Sequence, residues 1–509
     1  MKKLLVLLLV AGLLVISVAC SSDKDDVSAA ENSSYNINGQ VIAETNDIDL
    51  SKIKVKISGN EIEDSTSELD EEDMWSATGL KGEVTVTPVD DSNQYTFIPS
   101  KVVLTSNSEE ISFTVTERVQ IEPISGVSDD FIRGMDVSAL KAIEESGGKY
   151  YENGEEKDLL EILKGRGVNY IRLRLWNDPS GKGGGETDLE TVKELAKRAK
   201  DLEMKVFLDF HYSDFWADPG KQNKPAAWEE LSFEELKQAI YDFTYNSLNE
   251  LNTAGALPDM VQIGNEVNNG MLWPDGMLWP YLDEFPDYTE DVIGGWSGFG
   301  ALLQEGLDAI DQIEAETGEE IKSVIHKADA GEGVDWFIKD LEEKAGVIGF
   351  DVVGISYYPY WEKHGGLRDN YTGWTNLLQE MTALANRGYE VAVVETSYGF
   401  TLEGADDEPN HLDQERLDTI AALDDGRYLP TPSIQGQADL VREVMEVVNE
   451  VPDNKGLGIF YWGGELIPSE GATWKAGEEY GNGYENQALF DFKGNALPSL
   501  DVFNKVIDN

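Results

Sequence analysis

The sequence predicts an α/β protein in which a (β/α)8 TIM barrel follows a small all-β, immunoglobulin-like sandwich. Three observations predict it. Residues 35–125 carry short alternating apolar and polar runs separated by turn residues. Residues 127–509 carry apolar runs alternating with amphipathic stretches, the pattern of parallel βαβ units. The apolar runs of this second part number eight, the complement that closes a barrel.

The elements follow in chain order. Met1-Lys2-Lys3 and the Leu/Val/Ala run ending at Ala19-Cys20 have the charge, length and small-residue break of a signal sequence over residues 1–20. Cys20 is the only cysteine and stands where a lipoprotein signal carries its lipidated thiol, so a lipid-anchored, extracellular protein is expected. Ser17 departs from the aliphatic residue usual at that position, which leaves plain secretion as the alternative. Without a second cysteine, disulfides play no part in the fold. Residues 21–34 are small, polar and aperiodic, a flexible tether. Runs at 35–38, 53–57, 83–87, 95–97 and 111–115 then read as an antiparallel sandwich. With few aromatics placed for exposure, this module reads as a spacer. The barrel strands are expected at 132–138, 169–176, 205–212, 260–266, 321–327, 352–358, 390–396 and 457–463.

Charge narrows the partners. Against 40 Lys and Arg stand 97 Asp and Glu, a net charge of −57. Such a field repels nucleic acid and anionic polymers, whereas a neutral substrate suffers no penalty. The acidic residues are spread along the chain, which suits surface hydration better than a binding feature.

The C-terminal ends of barrel strands form the active-site mouth in this architecture, so polar groups there are candidates for chemistry. Asn265-Glu266 ends the fourth expected strand and Glu395 the seventh. These strands lie across the barrel from one another. Cleaving a glycoside needs a carboxylic acid on the leaving oxygen and a carboxylate on the opposite face of the ring. Glu266 and Glu395 are therefore the catalytic candidates. None of the four histidines pairs at zinc-ligand spacing, which argues against a catalytic metal.

Eight stretches make the reading specific: RGMDVSAL (133–140), YIRLRLWNDP (170–179), LDFHYSDFWADPGKQ (208–222), QIGNEVNNGMLWPDG (262–276), GISYYPYW (354–361), VVETSYGF (393–400), FYWGGELIP (460–468) and NQALFDFKG (486–494). Together they resemble glycoside hydrolase family 53, the arabinogalactan endo-β-1,4-galactanases. The resemblance implies a retaining, endo-acting enzyme on galactan, with Glu266 as acid/base and Glu395 as nucleophile. It places Asn265 on the sugar 2-hydroxyl, Arg172 and Tyr357 beside Glu395, and His211 and His326 on sugar hydroxyls. Trp176, Trp361 and Trp462 are expected to form stacking floors. Alternatives are a related barrel glycosidase acting on mannan, xylan or glucan, or a non-catalytic glycan-binding protein.

Two local features remain. Gly270-Met271-Leu272-Trp273-Pro274 recurs as Gly276-Met277-Leu278-Trp279-Pro280, where the family has one copy. Some bacterial relatives tie the loops after strands seven and eight with calcium. Here that site would draw on Asp406, Glu408, Asn410, Asn482 and Glu485, with Gly404 where an acid is expected. The chemistry itself is expected to need no cofactor, and the chain to be a monomer that meets a membrane only through its lipid anchor.

Overall fold

The computed structural model describes residues 34–44, 48–92, 94–181, 183–279, 294–367, 376–423, 428–472 and 481–507. The expected signal sequence, Cys20, the tether up to Ser33 and Pro280 of the second repeat lie outside the described residues.

Eight strands build the N-terminal module: β1 (Tyr35–Ala43), β2 (Ile53–Gly59), β3 (Ser65–Glu68), β4 (Met74–Leu80), β5 (Val84–Asp90), β6 (Tyr95–Ile98), β7 (Val102–Leu104) and β8 (Ser108–Glu117). They form two four-stranded sheets, ordered β4-β1-β8-β6 and β3-β2-β5-β7. Alternate residues of both sheets (Ile37, Val41, Val55, Ile57, Val84, Val86, Phe113 and Val115) point into one shared core. The wholly antiparallel expectation is corrected at one pair: β1 and β8 run parallel, from Ile37 beside Ser108 to Ala43 beside Val115. No turn joins strands so far apart in sequence, so no local signal announces their direction. The strands β3, β4 and β7, absent from the sequence reading, are polar, glycine-bearing or short. β3 in particular lies at a sheet edge with no buried residue.

All eight expected barrel strands are present: β9 (Ile132–Asp136), β10 (Tyr170–Leu175), β11 (Lys205–Phe210), β12 (Met260–Ile263), β13 (Lys322–Lys327), β14 (Val352–Ser356), β15 (Glu390–Thr396) and β16 (Gly456–Tyr461). They close in chain order, β16 pairing with β9, and every pairing is parallel. Buried on both faces, they read as nearly continuous apolar runs. The helix Leu189–Asp201 is typical of the outer layer. Asp188 caps it by accepting from the Thr191 amide, and Val192, Leu195, Ala196 and Ala199 face the strands.

Ile132, Tyr170, Phe207, Met260, Val324, Val352, Val394 and Phe460, one from each strand, pack together inside the barrel as its floor. Chemistry is thereby confined to the opposite rim. The module docks on the helix Ile434–Asn449, where Gln120 N donates to Gln435 Oε1 at 2.8 Å and Arg442 Nε donates to the Glu122 carbonyl at 2.7 Å. Ile98 and Val119 of the module pack there on Ile434, Ala438 and Leu497.

Candidate active site

Inward positions alternate along β10, so Tyr170 joins the floor while Arg172 and Arg174 rise above it. Arg172 is 1% exposed and is surrounded by carboxylates: Asp209 Oδ2 at 2.8 Å, Glu395 Oε1 at 2.9 Å and Asp136 Oδ2 at 3.2 Å. Asp209 comes from β11, where the same alternation turns a charged group into the barrel. Burial alone would raise its pKa, yet Arg172 and His211 hold it below the usual value.

Glu395 thus has a fixed cation on one oxygen. The other oxygen accepts from the Tyr358 hydroxyl at 2.8 Å. This corrects the expectation for Tyr357, whose side chain is wholly buried and whose hydroxyl lies 3.4 Å from the Gly365 carbonyl. Val352 of β14 faces the barrel interior, so alternation turns Ser356 and Tyr358 inward and Tyr357 outward, while an extra residue on β15 brings Glu395 opposite Ser356. Burial raises the pKa of Glu395, while Arg172 and Tyr358 pull it back.

Glu266 sits beyond the end of β12. The chain takes left-handed conformations at Gly264 (φ 81°) and at Glu266 itself (φ 46°), which swings the carboxylate over the mouth. Its Oε1 accepts from Ser356 Oγ at 2.8 Å. Burial, and then the charge of Glu395, push the Glu266 pKa well above the usual carboxyl range. The two carboxyls therefore differ in kind: burial and Glu395 push Glu266 toward its protonated form, whereas Glu395 has Arg172 and Tyr358 favouring its ionised form against the upward push of burial.

Both glutamates line one cleft of about 830 Å³, together with Arg172, His211, Asn265, Trp361 and Trp462. Asn265 is oriented from both ends: Nδ2 donates to the Ala217 carbonyl at 2.9 Å and Oδ1 accepts from Arg172 at 3.1 Å. Of the remaining expected contacts, Trp361, Trp462 and His211 line the cleft, whereas Trp176 and His326 are corrected. Trp176 is fully buried and donates its Nε1 to His211 Nδ1 at 3.1 Å, so it supplies no stacking surface. Trp216 lines the cleft in its place, with the Arg174 guanidinium 4.3 Å from its ring centre. His211 reaches the cleft, but both its nitrogens meet protein groups, Nδ1 the Ala217 amide and Nε2 Asp209 Oδ2 at 3.1 Å. His326 is wholly buried behind Glu266 and does not line the cleft. Trp361 has Arg416 over its ring at 4.3 Å, and both line the cleft.

The sequence reading missed Asp209, Trp216, Ser356, Tyr358, His364 and Arg416. Asp209 had a usable signal, a charge two residues before His211 in a strand that is otherwise apolar. His364 had none, because it joins the site through loop geometry: Nε2 lies 2.9 Å from Asp329 Oδ1, and Nδ1 accepts from the Tyr358 amide at 3.0 Å.

The sequence pattern of glycosyl hydrolase family 53 matches residues 132–503, the span that builds this barrel and cleft. The chain belongs to glycosyl hydrolase family 53. It is 37% identical to the endo-beta-1,4-galactanase of Bacillus subtilis, over 76% of this chain and 88% of that protein. It is 31% identical to the arabinogalactan endo-beta-1,4-galactanase of Cellvibrio japonicus, over 74% of this chain and 92% of that one. Among solved structures it is similar to the Ignisphaera aggregans GH53 catalytic domain, with 43% identity and a TM-score of 0.66, covering 77% of this chain and all of that one.

In this family 53 chain the loop residues expected to hold calcium do come together. Asp406 Oδ2 accepts from the Asn482 amide at 3.0 Å, and Glu485 Oε1 accepts from the Asp406 amide at 3.3 Å. Glu485 Oε2 and Asn410 Oδ1 are buried without a hydrogen-bond partner. Burial and the adjacent Asp406 carboxylate push Glu485 up to about 7. A Cβ on Gly404 would come within 3.1 Å of Asn410 Nδ2 and 3.2 Å of Glu485 Oε1, so the missing acid would have entered this cradle. Glu408 turns its backbone amide to Asp406 Oδ1 at 2.7 Å. No cluster of three or more His, Cys, Asp or Glu side chains able to hold a metal occurs among the described residues. The set here is two acids and two amides, whose orphaned oxygens suit a hard cation.

Proposed function

We propose that this chain is a retaining endo-β-1,4-galactanase acting on galactan and arabinogalactan. The observation that carries the mechanism is the asymmetry of two carboxyls in one cleft: Glu395 has Arg172 and Tyr358, and Glu266 has a hydroxyl and the repulsion of Glu395. In the first step Glu266 gives its proton to the glycosidic oxygen as the Glu395 oxygen attacks the anomeric carbon. The C–O bond to the leaving chain breaks and a glycosyl ester forms on Glu395. In the second step Glu266, now ionised, takes a proton from water. The water oxygen bonds to the anomeric carbon, and Glu395 departs as carboxylate with Arg172 ready to neutralise it. No organic cofactor enters either step.

Asn265 has one Nδ2 proton committed to Ala217 and one left for the sugar 2-hydroxyl. Trp216, Trp361 and Trp462 offer aromatic faces to the C–H side of galactose rings. Asp406, Asn410, Asn482 and Glu485 would hold calcium, which supplies no chemistry and ties two loops together. The protein is secreted, lipid-anchored at Cys20 and monomeric, with the N-terminal module as spacer. Digestion of galactan with sizing of the oligosaccharides and NMR of the first-formed anomer tests this reading. Internal cuts with a β-anomer first are expected; an α-anomer first, or turnover of mannan, xylan or glucan alone, overturns it.

A further inference from the structure

Glu266 is gripped from behind by two side chains that never reach the cleft. Ser356, the last residue of β14, and His326, on β13, are both wholly buried. Ser356 Oγ lies 2.8 Å from Glu266 Oε1 and 2.8 Å from His326 Nε2. Which way the protons run is decided at the far side of the imidazole. His326 Nδ1 faces Gln262 Nε2 at 3.1 Å and the Glu266 backbone amide at 3.3 Å, both donors. The Gln262 amide cannot be reversed, because the same nitrogen lies 2.6 Å from Asp209 Oδ1. Asn265 Oδ1, at 3.0 Å, is the one acceptor beside Nδ1, and it already receives Arg172. Gln262 Nε2 has closer acceptors in Asp209 Oδ1 and the Gly264 carbonyl, so it is the Glu266 backbone amide, which donates to Nδ1, that leaves Nδ1 unprotonated. Burial and Arg172 keep the ring neutral, so its single proton sits on Nε2. That proton goes to Ser356 Oγ, and the serine's own proton then points to Glu266 Oε1.

We infer that Ser356 and His326 are positioning residues for the acid/base: they pin Oε1 of Glu266 and leave Oε2 as the oxygen that gives and takes the proton. The inference rests on the galactanase reading. It answers a difficulty that reading creates. Glu266 must be an acid in the first step and a base in the second, yet burial and the acids facing it (Glu395, Asp329 and Asp218) all favour the protonated form. A buried donor chain fixed on Oε1 stabilises the ionised form and keeps the carboxyl plane aimed while its charge changes.

The test is the pH profile of Ser356→Ala, measured on whichever substrate the native chain cleaves. Glu266 governs the alkaline limb of kcat/KM. Loss of a hydrogen bond that favours its ionised form moves that limb upward by about one unit. On an activated aryl galactoside, the burst phase persists, and the following steady rate falls roughly tenfold at neutral pH, recovering as pH rises past the new limb. His326→Gln shifts the limb the same way alone and adds nothing in the Ser356→Ala background. An unmoved limb in folded Ser356→Ala, or additive shifts in the double variant, overturns the inference. Should Ser356→Ala fail to fold, Ser356→Cys, a weaker donor, must show the same direction. A native chain inert on every galactoside would instead sink the parent reading.

Discussion

Replacing Tyr358 with Phe deletes one oxygen, the one 2.8 Å from Glu395 Oε2, and leaves the ring in place. Tyr358 and Glu395 are both largely buried, and Arg172 is the one other partner described for the carboxylate, so the lost donor is a large share of its contacts. A hydrogen bond to a charged group is worth about 1.5–3 kcal/mol, and one pKa unit is about 1.4 kcal/mol. The bond favours the ionised form of Glu395, so its loss raises that pKa, by about one to two units. Glu395 must be ionised to attack, and the acidic limb of the kcat/KM profile reports it. That limb therefore moves up. Activity falls roughly 10- to 100-fold below the new limb and recovers toward the native rate above it. Tyr357→Phe is the control, since its hydroxyl lies 3.4 Å from the Gly365 carbonyl rather than on Glu395. Profiles on a soluble oligogalactoside decide the matter. A shifted limb in Tyr357→Phe together with an unshifted one in Tyr358→Phe would refute the inward placement of Tyr358 and the role drawn from it.

Glu395→Ala should abolish turnover without unfolding, and added azide should restore some activity with inverted product; native rates would remove it as nucleophile. Glu266→Ala should cripple galactan cleavage far more than cleavage of an aryl galactoside, whose leaving group needs little protonation, and equal losses would contradict the acid/base role. Asp209→Ala strips a fully buried partner from Arg172 and should cost about 3–5 kcal/mol in denaturant unfolding; a loss under about 1 kcal/mol would mean the pair is dispensable. Chelation should lower the melting temperature and expose the long segment after β15 to protease while leaving low-temperature activity largely intact. Millimolar calcium that produces no shift would rule out the site.

The barrel was legible because parallel strands buried on both faces leave long apolar runs, and because Asn265-Glu266 and Glu395 interrupt those runs at their ends. Side-chain direction beyond the strands was not. The resemblance placed Tyr357 beside the nucleophile, whereas alternation from Val352 turns Tyr358 inward, and the extra residue on β15 that brings Glu395 opposite Ser356 leaves no mark in the sequence. Trp176 and Trp216 look equivalent in sequence. Trp176 follows β10 directly and is wholly buried, with His211 as hydrogen-bond partner and Trp216 against its edge, whereas Trp216 lines the cleft. Histidines at strand ends read as sugar ligands, and only the positions of Asp209, Gln262 and Ser356 reveal that their nitrogens are engaged. In the module, the parallel pairing of β1 with β8 depends on contacts between its two ends, which no local pattern encodes.

The floor of aromatic and aliphatic side chains from all eight strands has a consequence for how a polymer is handled. With the barrel sealed from below, a polysaccharide cannot be threaded through it. Substrate and both products must therefore enter and leave by the one rim where Glu266 and Glu395 rise into the cleft.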